Sequence, residues 1–210
     1  TPSNSSAASD VYKRQAVAKT ADEASTLASK IGFPVAVKLN STTITHKTEV
    51  GGVALDLRSE DEVIKAFHDI KSRLAASGRE KEMEGVTVQR MIETGIEVIA
   101  GVTQDPSFGP LVMFGLGGTY AELMKDVAFR LHPLTDLDAK ELISSIKMAE
   151  LFEGFRNSPP SDTEAIQDLL LRLSALIEDL PYIAELDFNP VKVMPKGEGY
   201  WILDARVSIK

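Results

Sequence analysis

Cysteine is absent from the 210 residues, which excludes disulfides, thiolate catalysis and Cys-ligated zinc or iron–sulfur centres. Histidine is scarce: His46, His68 and His132 are the only three, and their separation allows no H-x-x-x-H metal pair. No apolar run approaches the ~20 residues of a membrane span, and the opening residues lack the apolar core of a secretory signal. A cytoplasmic location without a membrane partner is the expectation. Positive charge is in deficit, with 23 Lys and Arg against 31 Asp and Glu, a net charge of −8 and a pI near 5.0. Nucleic-acid binders carry a basic excess, so that class is disfavoured, whereas a local phosphate site remains open because sites are local. What is present is an ordinary globular mix, 43% hydrophobic and 26% charged, long enough for one large domain or two small lobes.

Residues 1–15 are small and polar and show no sustained period. They read as a disordered tail or, since SAASDVYKRQ resembles a translated sequencing-adapter string, as an artefact. Beyond them, Thr20 opens a helix with Ala24, Leu27, Ala28 and Ile31 on one face, closed by Gly32 and Pro34. Residues 34–39 form a strand, 40–50 a polar loop and 51–57 a second strand. Ser59-x-x-Glu62 starts a helix that ends at Gly78. Strands are then expected at 86–91, at 96–102 and 110–114 around the turn 105–109, and at 122–130. Helices follow at 138–153 and 162–179, the second opening with Ser161-x-x-Glu164. A final hairpin pairs 183–194 with 200–209 across a Gly-rich turn. The order predicts an α+β fold with mostly antiparallel strands.

No P-loop pattern occurs, and Gly115-Leu116-Gly117-Gly118 does not complete G-x-G-x-x-G. Gly51-Gly52 is either a plain turn or a place where backbone N–H groups approach an anion. Lys38 interrupts the apolar strand Val-Ala-Val-Lys-Leu; it is either an outward edge-strand cation or a cation for phosphate oxygens, since charge is rarely left in such a strand without a partner. His46, between them, is either solvated or a nucleophile, since an imidazole nitrogen can accept a phosphoryl group. His68 and His132 read as surface or structural. Near the end, Glu185, Asp187 and Asn189 alternate along one strand face, and Asp204 and Arg206 lie on the next strand. They form either a solvated charged face or oxygen ligands for magnesium beside nucleotide phosphates.

Four ordered blocks, GFPVAVKLNSTTITHKTEVGGVALDL, GIEVIAGVTQDPSFGPLVMFGLGG, AELMKDVAFRLHPLTDLDA and AELDFNPVKVM with GYWILDARVSI, together resemble the ATP-grasp domain of ADP-forming (NDP-forming) acyl-CoA synthetases. They are also similar to the nucleotide-binding part of the succinyl-CoA synthetase β subunit. The likeness covers nearly all of residues 16–210. It implies an ATP-grasp fold, two α+β lobes clamping a nucleotide, with a small lobe at about 16–90 and a large lobe at about 91–210. It also implies that the family's N-terminal part is truncated here.

The implied activity is that of an acid–CoA ligase (ADP-forming), interconverting acyl-CoA, ADP and phosphate with acid, ATP and CoA through phosphohistidine. ATP or ADP would be the nucleotide partner, with Mg2+ as cofactor. A CoA-binding subunit or domain would be the protein partner, in a hetero-oligomer or a longer chain. By the same resemblance Lys38 contacts phosphates, and Gly51 and Gly52 form the phosphate-covering loop. Gln89, Arg90, Met91 and Ile92 meet adenine, and Glu97 lies near ribose or phosphates. Asn189 and Asp204 hold magnesium. His46, in the H-K-[TS]-[DE]-V-G-G position, is the phosphorylated histidine. Asp126 and Arg130 match a D-x-x-x-R block in which Arg130 stabilises phosphoryl charge. Two other readings stand beside this one: a regulatory ATP-grasp-like module of a protein lysine acetyltransferase, and an amide-forming ATP-grasp ligase that needs no histidine.

Overall fold

A computed structural model describes residues 15–118, 126–156 and 158–210. The chain divides into two compact units, the first ending at Met91 and the second beginning at Ile92. The expected tail at 1–15 lies outside the described residues except for Gln15, and so do residues 122–125 of the strand expected at 122–130.

The first unit contains β1 (Gln15–Ala18), α1 (Ala21–Ile31), β2 (Val35–Asn40), β3 (Val53–Leu57), α2 (Glu60–Ala76) and β4 (Gly85–Arg90). Its antiparallel sheet has the order β1-β4-β2-β3. Helix α1 starts where Thr20 Oγ1 accepts the Glu23 N–H at 3.2 Å, and α2 where Ser59 Oγ accepts the Glu62 N–H at 3.3 Å, each cap satisfying an otherwise orphaned donor. Both helices cover one face of the sheet. Ala24, Ala28, Val63, Phe67, Ile70 and Leu74 pack there on Val35, Val37, Leu39, Val86 and Val88. Each fully buried aliphatic side chain contributes about 1.5–3 kcal/mol, so this face fixes which way the strands alternate. Ala36 and Lys38 consequently point to the helix-free face.

The second unit contains β5 (Ile96–Asp105), β6 (Gly109–Leu116), β7 (Val127–Leu131), α3 (Asp136–Ser144), α4 (Thr163–Asp179), β8 (Ile183–Val193), β9 (Tyr200–Ile202) and β10 (Ala205–Ile209). The sheet order is β10-β8-β5-β6-β7, with β9 also on β8, and every pairing is antiparallel. α3 and α4 cover one face through Leu142, Ile166, Leu170 and Leu173 against Val98, Val112, Phe114 and Val191. The leucine stripe of α4 is thus core, as its spacing predicts.

The departures from the sequence reading each trace to specific hydrogen bonds. The helix expected at 138–153 is α3 followed by a separate 3-10 turn at Ala149–Glu153. α3 has a reciprocal capping box between Thr135 and Asp138. Thr135 hydrogen bonds hold the Asp138 carboxyl below its ordinary range, desolvation opposes them weakly, and Arg130 adds to the lowering. α4 is capped by Asp162, not Ser161: one carboxylate oxygen accepts the Ala165 N–H at 3.1 Å, and the other accepts the N–H groups of Gly197 and Gly199. The last strand is two strands, broken at Leu203–Asp204, where Asn189 N–H donates to Asp204 O at 3.1 Å and Leu203 N–H to Pro190 O at 3.0 Å. Among the described residues no helix is long and apolar enough to cross a membrane.

Candidate functional site

Lys38, His46, Gly51, Gly52 and Gln89–Met91 belong to the first unit, and Ile92, Glu97, Arg130, Asn189 and Asp204 to the second. Lys38 sits on an interior strand, half-buried, opposite Thr87 on β4 and Val53 on β3. The edge-strand alternative for it therefore falls. Gln89, two residues from Thr87 along β4, shares its helix-free face.

His46 stands on the loop between β2 and β3, with its side chain 63% exposed and Nδ1 3.7 Å from Glu49 Oε1. The loop is closed behind it by backbone bonds: Gly52 N–H to Lys47 O at 2.7 Å, Gly51 N–H to Thr48 O at 3.0 Å, and Leu39 N–H to Gly52 O at 2.7 Å. A Cβ on Gly52 would lie 2.9 Å from both Leu39 Cβ and Lys47 O, and Gly51 has φ +65°. The two glycines therefore close the loop that presents His46. The phosphate-covering role expected of them finds both N–H donors already engaged. The base-edge role expected of Gln89–Ile92 is also narrowed. Gln89 is paired on both sides, with Gln15 and Ala36, and Met91 N–H donates to Pro34 O at 3.0 Å.

In the second unit Glu97 faces Lys192 by register, and their charged groups are 3.4 Å apart. Sequence reasoning missed Lys192, although it shows the signal that singled out Lys38, a cation inside the apolar run Pro-Val-Lys-Val. Asn189 and Asp204 are brought side by side by their backbone bond across β8 and the β9–β10 break. Two strand positions on, Asp187 opposes Arg206. Burial pushes the Asp187 carboxyl above its ordinary range; Arg206 counters this, and Glu185 and Asp204 reinforce it. An amide oxygen and a carboxylate, next to further acidic groups, are hard donors of the kind magnesium takes when phosphates complete its shell. The residues present fit that ion.

Arg130 is placed elsewhere. Its register row runs through Val112, Val102 and Leu186, all buried beneath the helices, so it faces α3. There it lies 3.7 Å from Glu141 Oε2. β7 is three strand steps from β8, roughly 14 Å at about 4.8 Å per step. The structure therefore does not bring Arg130 together with Asn189 and Asp204: its guanidinium pairs with a helix on the covered face. Asp126 is structural. It is 3% exposed, and its two oxygens accept the N–H groups of Lys147 at 2.7 Å and Met148 at 2.9 Å. His132 bonds Ser174 Oγ at 3.0 Å and His68 is exposed, in line with their structural and surface readings.

The loop has a further acidic contact. Glu82 accepts from Thr43 Oγ1 and pairs with Arg79 at 2.8 Å. The Arg79 hydrogen bond, then the Thr43 one, lower the Glu82 carboxyl from 4.5 to about 2. A carboxyl held down in the folded chain favours folding above its ordinary value, and that contribution fades as pH falls toward the folded one. The Glu82 side-chain 13C resonance should therefore stay that of the ionised form down to about pH 3.5; half-titration at its ordinary 4.5 contradicts the contact.

A family model for the ATP-grasp domain matches residues 11–209. The chain belongs to the ATP-grasp family. Among curated ATP-grasp relatives, the β subunit of the ADP-forming acetate–CoA ligase II of Pyrococcus furiosus is 45% identical over 195 residues, covering 92% of this chain and 83% of that one. The ADP-forming acetate–CoA ligase I of Archaeoglobus fulgidus is 43% identical over 193 residues, covering 92% of this chain but 28% of that longer one. Among solved structures, the dinucleotide-forming acetyl-coenzyme A synthetase 1 of Ca. Korarchaeum cryptofilum, in complex with coenzyme A and Ca-AMPCP, superposes with a TM-score of 0.86 at 41% identity, covering 98% of this chain and 90% of that one. Another structure of that protein, with coenzyme A and Mg-AMPPCP, has its phosphohistidine segment pointing towards the nucleotide-binding site; it matches with a TM-score of 0.75 at 40% identity, covering 94% and 85%. The ATP-grasp fold and the resemblance to ADP-forming acyl-CoA synthetases, both expected from the four sequence blocks, are borne out. These relatives are ligases by name, and nothing in them favours the regulatory reading.

Proposed function

We propose that this chain is the nucleotide-binding module of an ADP-forming acid–CoA ligase and that it passes a phosphoryl group between ATP and His46. One observation carries the reading: a relative of the same fold, at 40% identity, points a phosphohistidine segment at its nucleotide site, and this chain presents an exposed imidazole on a glycine-closed loop. Conversion of acyl-CoA to acid and CoA falls to a CoA-binding portion, as a separate subunit or as the remainder of a longer chain.

The chemistry asks the protein for positioning and charge neutralisation. Glu49 Oε1 lies 3.7 Å from Nδ1, and the neutral ring keeps a lone pair on one nitrogen, here assigned to Nε2. Nε2 attacks the terminal phosphorus, a P–N bond forms, and the P–O bond to ADP breaks; the reverse sequence makes ATP. Lys38 supplies a cation to phosphate oxygens from the interior of its sheet. Asn189 and Asp204 would hold magnesium, which when bound supplies divalent charge against those oxygens.

Incubation with γ-labelled ATP and magnesium tests the reading. Label should stay on the protein through alkali and leave in acid; nucleotide binding without such label contradicts it. Lys38→Ala should weaken ATP binding by about 10- to 100-fold, the value of a charge-assisted hydrogen bond, in a calorimetric titration. Unchanged affinity would remove Lys38 from the site.

A further inference from the structure

The loop that carries His46 is held at two feet by side chains from outside it. At the first foot, Thr42 donates to Glu84 Oε1 through its backbone N–H at 3.3 Å and its hydroxyl at 2.6 Å. Two residues on, Ile44 is 3% exposed within the first unit's core. At the second foot, Arg73 Nη1 of α2 donates to Gly51 O at 2.8 Å. Arg73 packs so closely that a Cβ on Gly51 would lie 2.8 Å from its Cδ. Between the feet the returning strand is already tied to Lys47 O and Thr48 O. His46 therefore stands two residues after a buried anchor and one before a pinned carbonyl, which leaves its backbone a short arc.

Phosphoryl transfer requires the attacking atom to come within about 3–3.5 Å of phosphorus, and a displacement of ~1 Å costs up to about 100-fold in rate. A loop of this length with loose ends would spread the imidazole over several times that distance. We propose that Arg73 and Glu84 are positioning residues for the transfer, acting through the two feet of the loop that carries His46. This rests on His46 being the phosphoryl acceptor. The pair acts on the loop through Thr42 and Gly51 and sets where the ring can go. It also gives a reason for glycine at the second foot: φ +65° disfavours a side chain there, and a Cβ would have to displace Arg73.

The test uses the full chain with Arg73→Ala, Arg73→Lys, Glu84→Ala and Glu84→Gln. Three quantities are read: the rate of label uptake at saturating Mg-ATP, nucleotide affinity, and hydrogen exchange at the amides of Thr42, Gly51 and Gly52. The alanine variants should slow uptake about tenfold or more with nucleotide affinity unchanged within about twofold. Exchange should rise at least ~tenfold at Gly51 and Gly52 for Arg73→Ala, and at Thr42 for Glu84→Ala. Arg73→Lys and Glu84→Gln, which keep a donor and an acceptor, should recover most of the rate. Wild-type uptake in the alanine variants overturns the proposal, as does unchanged exchange. Parallel loss of uptake, affinity and thermal stability also overturns it, because the two residues would then be structural only. If wild type takes no label, the reading of His46 fails, and the exchange rates still decide whether the feet are held as proposed.

Discussion

His46→Asn should abolish the acid-labile label while leaving nucleotide affinity within about twofold of wild type. Asparagine keeps a polar, hydrogen-bonding side chain of similar reach but has no nitrogen lone pair able to take a phosphoryl group. The substitution sits at a side chain that is 63% exposed, where changes seldom disturb folding by more than about 0.5 kcal/mol. The backbone bonds of Lys47, Thr48, Gly51 and Gly52 close the loop, and the substitution leaves those groups in place. Loss of label with retained binding therefore reads the acceptor itself. Label that persists in His46→Asn, with the same acid sensitivity, would move the acceptor to another residue. His132 is a poor substitute, because its Nδ1 is tied to Ser174.

The second large effect is on stability. Asp126→Ala should destabilise the chain by about 3 kcal/mol and lower the unfolding midpoint by roughly 10 °C. The carboxylate is almost fully buried and is the acceptor for two backbone donors, those of Lys147 and Met148, where the chain leaves α3. Its removal takes that partner from two part-buried N–H groups and leaves a cavity where the carboxylate was; an unsatisfied group costs about 1–3 kcal/mol when buried. Asp126→Asn should recover only part, because its amide NH2 would face one of those donors. A calorimetric scan checks this, and an unchanged midpoint would mean that water or a shifted backbone satisfies both donors. The same substitution separates structure from chemistry in the D-x-x-x-R block: at a temperature where Asp126→Ala is folded, label uptake should match wild type.

The fold was legible where local chemistry alone decides it. Thr20 and Ser59 cap the helices that their spacing announces, and the leucines of α4 are core because a 3.6-residue period has one face to bury. It was not legible where distant groups decide. Asp162 caps α4 in place of Ser161 because its second oxygen has Gly197 and Gly199 to serve, thirty-odd residues along the chain. β1 has four residues, of which only Ala18 is buried, so no period marks it; it exists because β4 offers an edge to pair. The break at Leu203–Asp204 follows from backbone bonds to Asn189 and Pro190 that no alternation could reveal.

The candidate site divides in the same way. Residue type and position marked Lys38, His46, Asn189 and Asp204 as candidates, because a cation in an apolar strand, an imidazole in a polar loop and oxygen donors on neighbouring strands are visible in the sequence; the roles expected of them came from the family resemblance. Arg130 took its expected role from the D-x-x-x-R match, and the alternation of β7 could not show which face it takes. Val127, Phe129 and Leu131 are exposed, while the arginine between them lies on the covered face, paid for by Glu141 on α3. Arg73 and Glu84 had no mark at all. They reach the His46 loop from 22 and 42 residues away, and on the sequence they are ordinary surface charges.

The most direct test of reversible phosphoryl transfer through His46 is a chase. The labelled chain is freed of ATP, then given ADP and magnesium, and the label is followed. The account predicts that label leaves the protein as ATP, at a rate comparable to its uptake, and that none moves in His46→Asn. Label that stays on the chain, or departs only as inorganic phosphate, would contradict it.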